Sequence, residues 1–264
     1  MSADKKNRLA QIKKRFGIVF LILFMGMSPL YAQGVSSEMP LQLFVKAGFA
    51  YKEGRYEEAV KAYEEILAQG QENGALYYNL GNAYFKQDKL GKAVLNYERA
   101  KRLIPRDADL NANKRYAQSL VKYYQKPAAS SVWGRVVQNQ FGVFALDELA
   151  WITFGLFVVA AIFILLALYL SWPKRNMMMA LICVAILFAV CFGGFITKMQ
   201  DQKGLGVVMS DVDARFEPRD EGTVHFELYE GSKVKAVTTQ GGWVKVERLD
   251  GKAGWVLKDT IEKI

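Results

Sequence analysis

Three stretches of the chain stay apolar, and between them two different hydrophobic periodicities alternate with charge. The first stretch, Phe16 to Met27, follows a basic segment ending at Arg15 and is closed by Ser28-Pro29 and Leu30-Tyr31-Ala32. A basic end, an apolar run, a break and a small residue make up the plan of an export signal, which predicts a signal peptide over 1–32 with cleavage after Ala32. The other two runs, Leu149 to Trp172 and Met177 to Thr197, contain no charged residue. Each reaches the ~20 residues a helix needs to cross ~30 Å of hydrocarbon, so transmembrane helices are predicted at 149–172 and 177–197. Trp151, Tyr169 and Trp172 stand near the ends of the first run, where amphipathic rings favour the membrane interface. Asp147 is placed to cap that helix and Pro173 to stop it.

Between residues 40 and 125 the apolar spacing is helical, and the sequence repeats itself. Tyr77, Leu80, Gly81, Tyr84, Ala93, Tyr97, Ala100 and Pro105 fall at the signature spacings of a tetratricopeptide repeat (TPR). A weaker copy one period earlier keeps Ala47, Ala59 and Tyr63, with Gly54 and Tyr56 in the turn, and departs at Lys46 and Ala50. Small residues such as Gly81 and Ala93 let two helices approach, and Tyr84 and Tyr97 fill the space between them. After Pro105, Asp107 opens a polar helix over roughly 108–125, as an array cap requires. Stacked helix pairs leave a concave groove. Its candidate lining is Phe44, Tyr51, Tyr78, Asn82 and Phe85, for which core packing is the competing role. Of the positions that clamp a C-terminal carboxylate in some TPRs, only Asn79 fits; Phe44, Gly48 and Asp109 do not.

After Lys203 the period changes from helical to alternating. Ser232–Val237 and Trp243–Glu247 read as strands joined at Gln240-Gly241-Gly242, and Leu249-Asp250-Gly251-Lys252 reads as a hairpin turn into Ala253–Leu257. About five short strands over 203–264 predict a small barrel. Glu230-Gly231, Gly242-Trp243 and Asp250-Gly251 with Gly254-Trp255 resemble bacterial SH3 domains, whose relatives often bind cell-wall peptides or serve as spacers. Trp243 and Trp255 have two roles open, lining a ligand groove or packing across the barrel, and the small barrel favours packing. Residues 126–148 form a linker starting Lys126-Pro127, then Trp133, Val136, Val137 and Phe141 at helical spacing. This segment is either an interfacial helix or a helix packed under the repeats.

Charge refines the picture. The formal net charge is +9, yet Lys5, Lys6, Arg8, Lys13, Lys14 and Arg15 against Asp4 put most of it in the export signal. No nucleic-acid partner is therefore expected. The connector Pro173-Lys174-Arg175-Asn176 is basic, which places it in the cytoplasm and both soluble modules outside. The two cysteines, Cys183 and Cys191, lie in an apolar run without further metal ligands, and no metal or cofactor is expected. His225 is the single histidine, and no nucleophile elbow, P-loop or dinucleotide fingerprint occurs. The chain reads as a non-enzyme.

The order of these parts is similar to the BatE-type aerotolerance proteins of Bacteroidota, and the resemblance covers nearly the whole chain. It implies a multidomain membrane protein: an all-α TPR array, a two-helix transmembrane hairpin and an all-β SH3-like barrel. It also implies a periplasmic scaffold, anchored in a bacterial inner membrane, in an envelope-stress or aerotolerance complex. The partners implied are von Willebrand factor A-domain and BatD-type membrane proteins, with a MoxR-type AAA+ ATPase reached indirectly. The alternative is a cell-wall sensor that binds peptidoglycan through the barrel.

Overall fold

The computed structural model describes residues 38–123, 132–170 and 174–264. The expected signal peptide, the start of the linker at 126–131, and Trp172 with Pro173 lie outside the described residues. Pro40–Ile264 form one compact unit, and Glu38 and Met39 begin the helix that leads into it.

Among the described residues, five helices come first: α1 (Glu38–Lys52), α2 (Tyr56–Ala68), α3 (Gly74–Lys86), α4 (Leu90–Leu103) and α5 (Ala108–Leu120). Local chemistry sets their starts. Asn73 Oδ1 accepts from the Leu76 amide at 2.8 Å and Asp107 Oδ1 from Leu110 at 2.7 Å, each satisfying a first-turn donor that the helix cannot. Glu57 and Glu58 in the first turn of α2 complement its dipole. Every signature residue of the clearer repeat is buried, and the weaker copy buries Ala47, Ala59 and Tyr63. A Cβ on Gly81 would stand 2.7 Å from the Tyr97 ring, so the helix pair closes only because that position is glycine. Ala50 fills the tyrosine position of the weaker copy and is itself buried, whereas Lys46 is exposed.

Next come α6 (Val132–Phe141), α7 (Leu146–Leu170) and α8 (Lys174–Gln202). The last two pack on each other, with the Phe157 and Phe188 rings 6.4 Å apart. Both are long and apolar enough to cross a membrane, and only 11% and 6% of their candidate spans are buried. A soluble hairpin would hide these side chains, but Trp151, Phe157, Ile182 and Ile186 are exposed. The α7 cap differs from the expected one. Glu148, rather than Asp147, reaches back to accept from the Ala145 amide at 2.8 Å, as the return arm of a capping box does.

The remainder is a seven-stranded antiparallel sheet, two strands more than the sequence pattern predicts. The strands are β1 (Leu205–Val208), β2 (Val212–Arg215), β3 (Val224–Leu228), β4 (Lys233–Gln240), β5 (Trp243–Arg248), β6 (Ala253–Leu257) and β7 (Ile261–Lys263). Their order is β3-β2-β6-β5-β4-β1-β7. Register pairs Val244 with Val256 and Val246 with Gly254, which stacks the valines on one face. With Val208, Ala214, Phe226, Leu228 and Val234 they form the core of an SH3-like domain. Neighbouring residues of β1 serve two cores. Val208 points into the sheet's cluster and Val207 into that of the helical array. A strand buried on both faces has no polar alternation, which is why Leu-Gly-Val-Val carried no strand signature.

Candidate functional site

The repeats and the sheet are docked on each other, with α4 at the seam. A helix at the edge of an array ordinarily keeps a polar face, but α4 buries Val94, Leu95, Asn96, Tyr97 and Glu98 in succession. β1 covers the face that would otherwise meet water. At the start of α4, Glu230 Oε1 accepts from the Gly91 amide at 2.7 Å, so the sheet supplies a carboxylate where the helix dipole favours one. A Cβ on Gly91 would stand 2.8 Å from the Val208 carbonyl oxygen, and backbone cannot yield easily. Further along, Arg99 Nη2 donates to the Lys263 carbonyl at 2.7 Å and pairs with Glu262 at 3.1 Å. Beside the end of α5, the Tyr123 and Tyr229 rings lie 5.4 Å apart.

Glu98 is the electrostatic centre of this seam. Its carboxylate is buried, 2.9 Å from Lys114 of α5 and 3.1 Å from Lys233 of β4, and accepts from Gln118 Nε2 at 2.9 Å. Burial alone would raise its pKa. The charges of Lys233 and Lys114 outweigh that and hold it below the ordinary carboxylate value.

The expected groove residues occupy varied positions. Phe44 sits edge-on to Tyr63, with centroids 5.6 Å apart, and Tyr51 edge-on to Tyr56 at 5.3 Å. Tyr78 accepts from Asn113 at 3.0 Å, Asn82 accepts from Tyr97 at 2.8 Å and from Asn113 at 3.0 Å, and the Phe85 and Tyr116 rings lie 5.7 Å apart. All five are half-buried. Tyr78, Asn82 and Phe85 meet α5 and so help seat that helix. Burial raises the Tyr97 phenol's pKa, keeping it a neutral donor to Asn82.

An apolar depression lies elsewhere. Leu41, Val45 and Phe49 recur every four residues on the outer face of α1 and are 63, 48 and 58% exposed. With Ala62, Lys61 and Glu65 of α2 they line a groove of about 700 Å³. Sequence reading missed it because the same α1 segment carries Phe44 and Tyr51 toward the array. The four-residue recurrence of Leu41, Val45 and Phe49 was the available signal.

Trp243 and Trp255 correct the packing expectation. Strand alternation places both on the face opposite Val244, Val246 and Val256, outside the domain core. Trp255 is paired with Lys245 and Trp243 with Leu257, so the two half-buried indoles share one outer face. His225 lies in β3, its ring tilted against that of Phe216 with centroids 4.1 Å apart.

The contact seen in 132–141 is one that neither reading of 126–148 named: α6 packs on α8, with Val137 buried and the Phe141 ring against Gly194. Trp133 falls outside the described side chains. Among the described residues, no group of three or more His, Cys, Asp or Glu is placed to hold a metal.

Residues 50–88 match the TPR repeat family, 75–107 the tetratricopeptide repeat family and 210–262 the bacterial SH3 domain family. No curated protein matches the chain. TPR repeats and a bacterial SH3 domain are therefore present beside two membrane-capable helices. Both are module types that typically bind rather than catalyse.

Proposed function

We propose that the chain is a membrane-anchored scaffold in which the repeats and the SH3 domain act as one composite receptor, holding partner membrane proteins together. The docking of β1 and Glu230 on α4 carries this reading. Modules tethered independently need no shared apolar seam and no buried Glu98 between two lysines. The two-span hairpin returns the chain to the side it left, as that contact requires. The basic residues Lys174 and Arg175 at the hairpin tip favour a cytoplasmic turn, so both modules belong on the extracytoplasmic face of a bacterial inner membrane.

The resemblance to BatE-type proteins supports von Willebrand factor A-domain and BatD-type proteins as the partners. A MoxR-type ATPase would be reached only through partner spans or the cytoplasmic turn. The docking surface is the α1–α2 groove, where Leu41, Val45 and Phe49 offer a helix-width apolar stripe to a partner helix carrying one of its own. Phe44, Tyr51, Tyr78, Asn82 and Phe85 shape the array behind it. Affinity purification of the full chain from detergent-solubilised native membranes tests the reading. Stoichiometric membrane partners with von Willebrand factor A domains are expected, lost in Val45→Glu and kept in Trp243→Ala. Retention of those partners by Val45→Glu, or their absence from the wild type, would sink it.

A second reading, cell-wall sensing through the SH3 domain, is favoured by the outward-facing Trp243 and Trp255. It predicts that purified sacculi pull down the wild type and not Trp243→Ala. Equal pull-down of the two proteins would remove it.

A further inference from the structure

Where α4, α6, the last turns of α8 and β1 meet lies a cleft of about 490 Å³. Lys101 and Arg102 of α4, Lys198 and Asp201 of α8, and Lys233 of β4 are among its walls. Some of these charges are already matched. Lys233 shares Glu98 with Lys114, and Arg102 donates to the Ile264 carbonyl at 2.7 Å and the Gln202 carbonyl at 2.8 Å. Lys101 and Lys198 are different. Lys101 Nζ donates to Asn111 Oδ1 at 2.6 Å and to the Pro105 carbonyl. Lys198 Nζ donates to the carbonyls of Phe141, at 3.2 Å, and Phe144.

All four acceptors are neutral. They satisfy N–H groups without supplying charge; of the carboxylates lining the cleft, Glu98 is paired with Lys114 and Lys233, and Asp201 leaves the cationic side chains in excess. Burial, together with the charges of Lys114, Lys198 and Arg115, outweighs the opposing Glu98 carboxylate and holds the Lys101 amine below its ordinary pKa. An ammonium has three donors, so after two carbonyl or amide contacts each lysine retains one for a ligand.

The position selects the anion. Lys198 is the first charge after the apolar run of α8, so it emerges where the hydrocarbon ends and headgroups begin. α6, which lines the cleft through Gly134 and Val137, leaves Val132 and Val136 exposed, an apolar surface for acyl chains. A phosphate headgroup offers clustered ammonium groups at the edge of the hydrocarbon the negative charge they lack, as it does in basic pockets on the cytoplasmic side of other membrane proteins. We propose that the cleft binds an anionic phospholipid, with its phosphate bridging Lys101 and Lys198. The inference rests on the reading of α7 and α8 as membrane spans.

The test uses the full chain in detergent micelles containing phosphatidylglycerol and phosphatidylcholine, with retained lipid counted by native mass spectrometry. Lys101→Gln and Lys198→Gln remove the charge and keep an amide donor for the carbonyl contacts, so the fold is preserved; a thermal melt checks that. The wild type should prefer phosphatidylglycerol, and each substitution should lower that preference about fivefold, with Lys101→Arg restoring it. Equal retention of the two lipids by the wild type, or an unchanged preference in the double variant, would overturn the proposal. Displacement of phosphatidylglycerol by millimolar inorganic phosphate would assign a free-anion site and overturn the lipid assignment. A chain that stays monodisperse without detergent would overturn the span reading, and this proposal with it.

Discussion

Gly91 and Glu98 show how single residues hold the two soluble modules together. Alanine at position 91 would improve the intrinsic helix propensity of α4, by about 1 kcal/mol. Its Cβ, however, would meet the Val208 carbonyl. Gly91→Ala is therefore expected to leave the repeats folded and to weaken docking by about 1–3 kcal/mol, the usual cost of forced overpacking. Limited proteolysis between α8 and β1 reads this directly, and unchanged cleavage would contradict the close approach. Glu98 predicts a pH limb. Its folded pKa lies below the ordinary 4.5, so its contribution is present above about pH 4.5 and is lost as pH falls through the lower folded value. A donor–acceptor pair at the exposed positions Lys86 and Lys258 should report opening in acid, with Glu98→Gln shortening that limb. Signature residues such as Tyr84 and Ala93 were legible because spacing alone declares them. Glu98 was not: between Tyr97 and Arg99 it reads as an ordinary surface charge, and its partner Lys233 lies in the other module.

At the scale of elements, periodicity identified helices and strands where one face meets water. The Asp107 cap, the turn at Gln240-Gly241-Gly242 and the hairpin into β6 follow from local chemistry, and each is present. Reading failed where an element is covered on both sides. β1 has no alternation because Val207 and Val208 enter different cores, and α4 hides its polar face against that strand. For Trp243 and Trp255, side-chain bulk favours packing, but alternation with Val244 and Val256 puts them on the outer face, the groove-lining alternative. The contact of Glu230 with α4 can be isolated at this scale. Glu230→Ala removes an acceptor at the helix start and should cost about 0.5–2 kcal/mol, as loss of a cap does. Faster hydrogen exchange confined to the first turn of α4 is the expected result, and uniform exchange across the array would contradict it.

For the whole molecule, module order was legible and module contact was not. Repeats, two spans and an SH3 domain can be read one after another, but the residues that join the ends, Arg99, Glu230, Lys233 and Glu262, resemble any other surface charges. Contact between modules separated in sequence by two membrane-capable helices constrains the proposed topology: with both helices crossing the bilayer, the modules lie on one side of it. Labelling with a membrane-impermeant maleimide tests this most directly, using chains that lack Cys183 and Cys191 and carry one cysteine at Lys86, Arg175 or Lys258, all exposed. In intact spheroplasts, positions 86 and 258 should label together and position 175 only after permeabilisation. Labelling of position 86 without 258, or of 175 from outside, would contradict a composite receptor on the extracytoplasmic face.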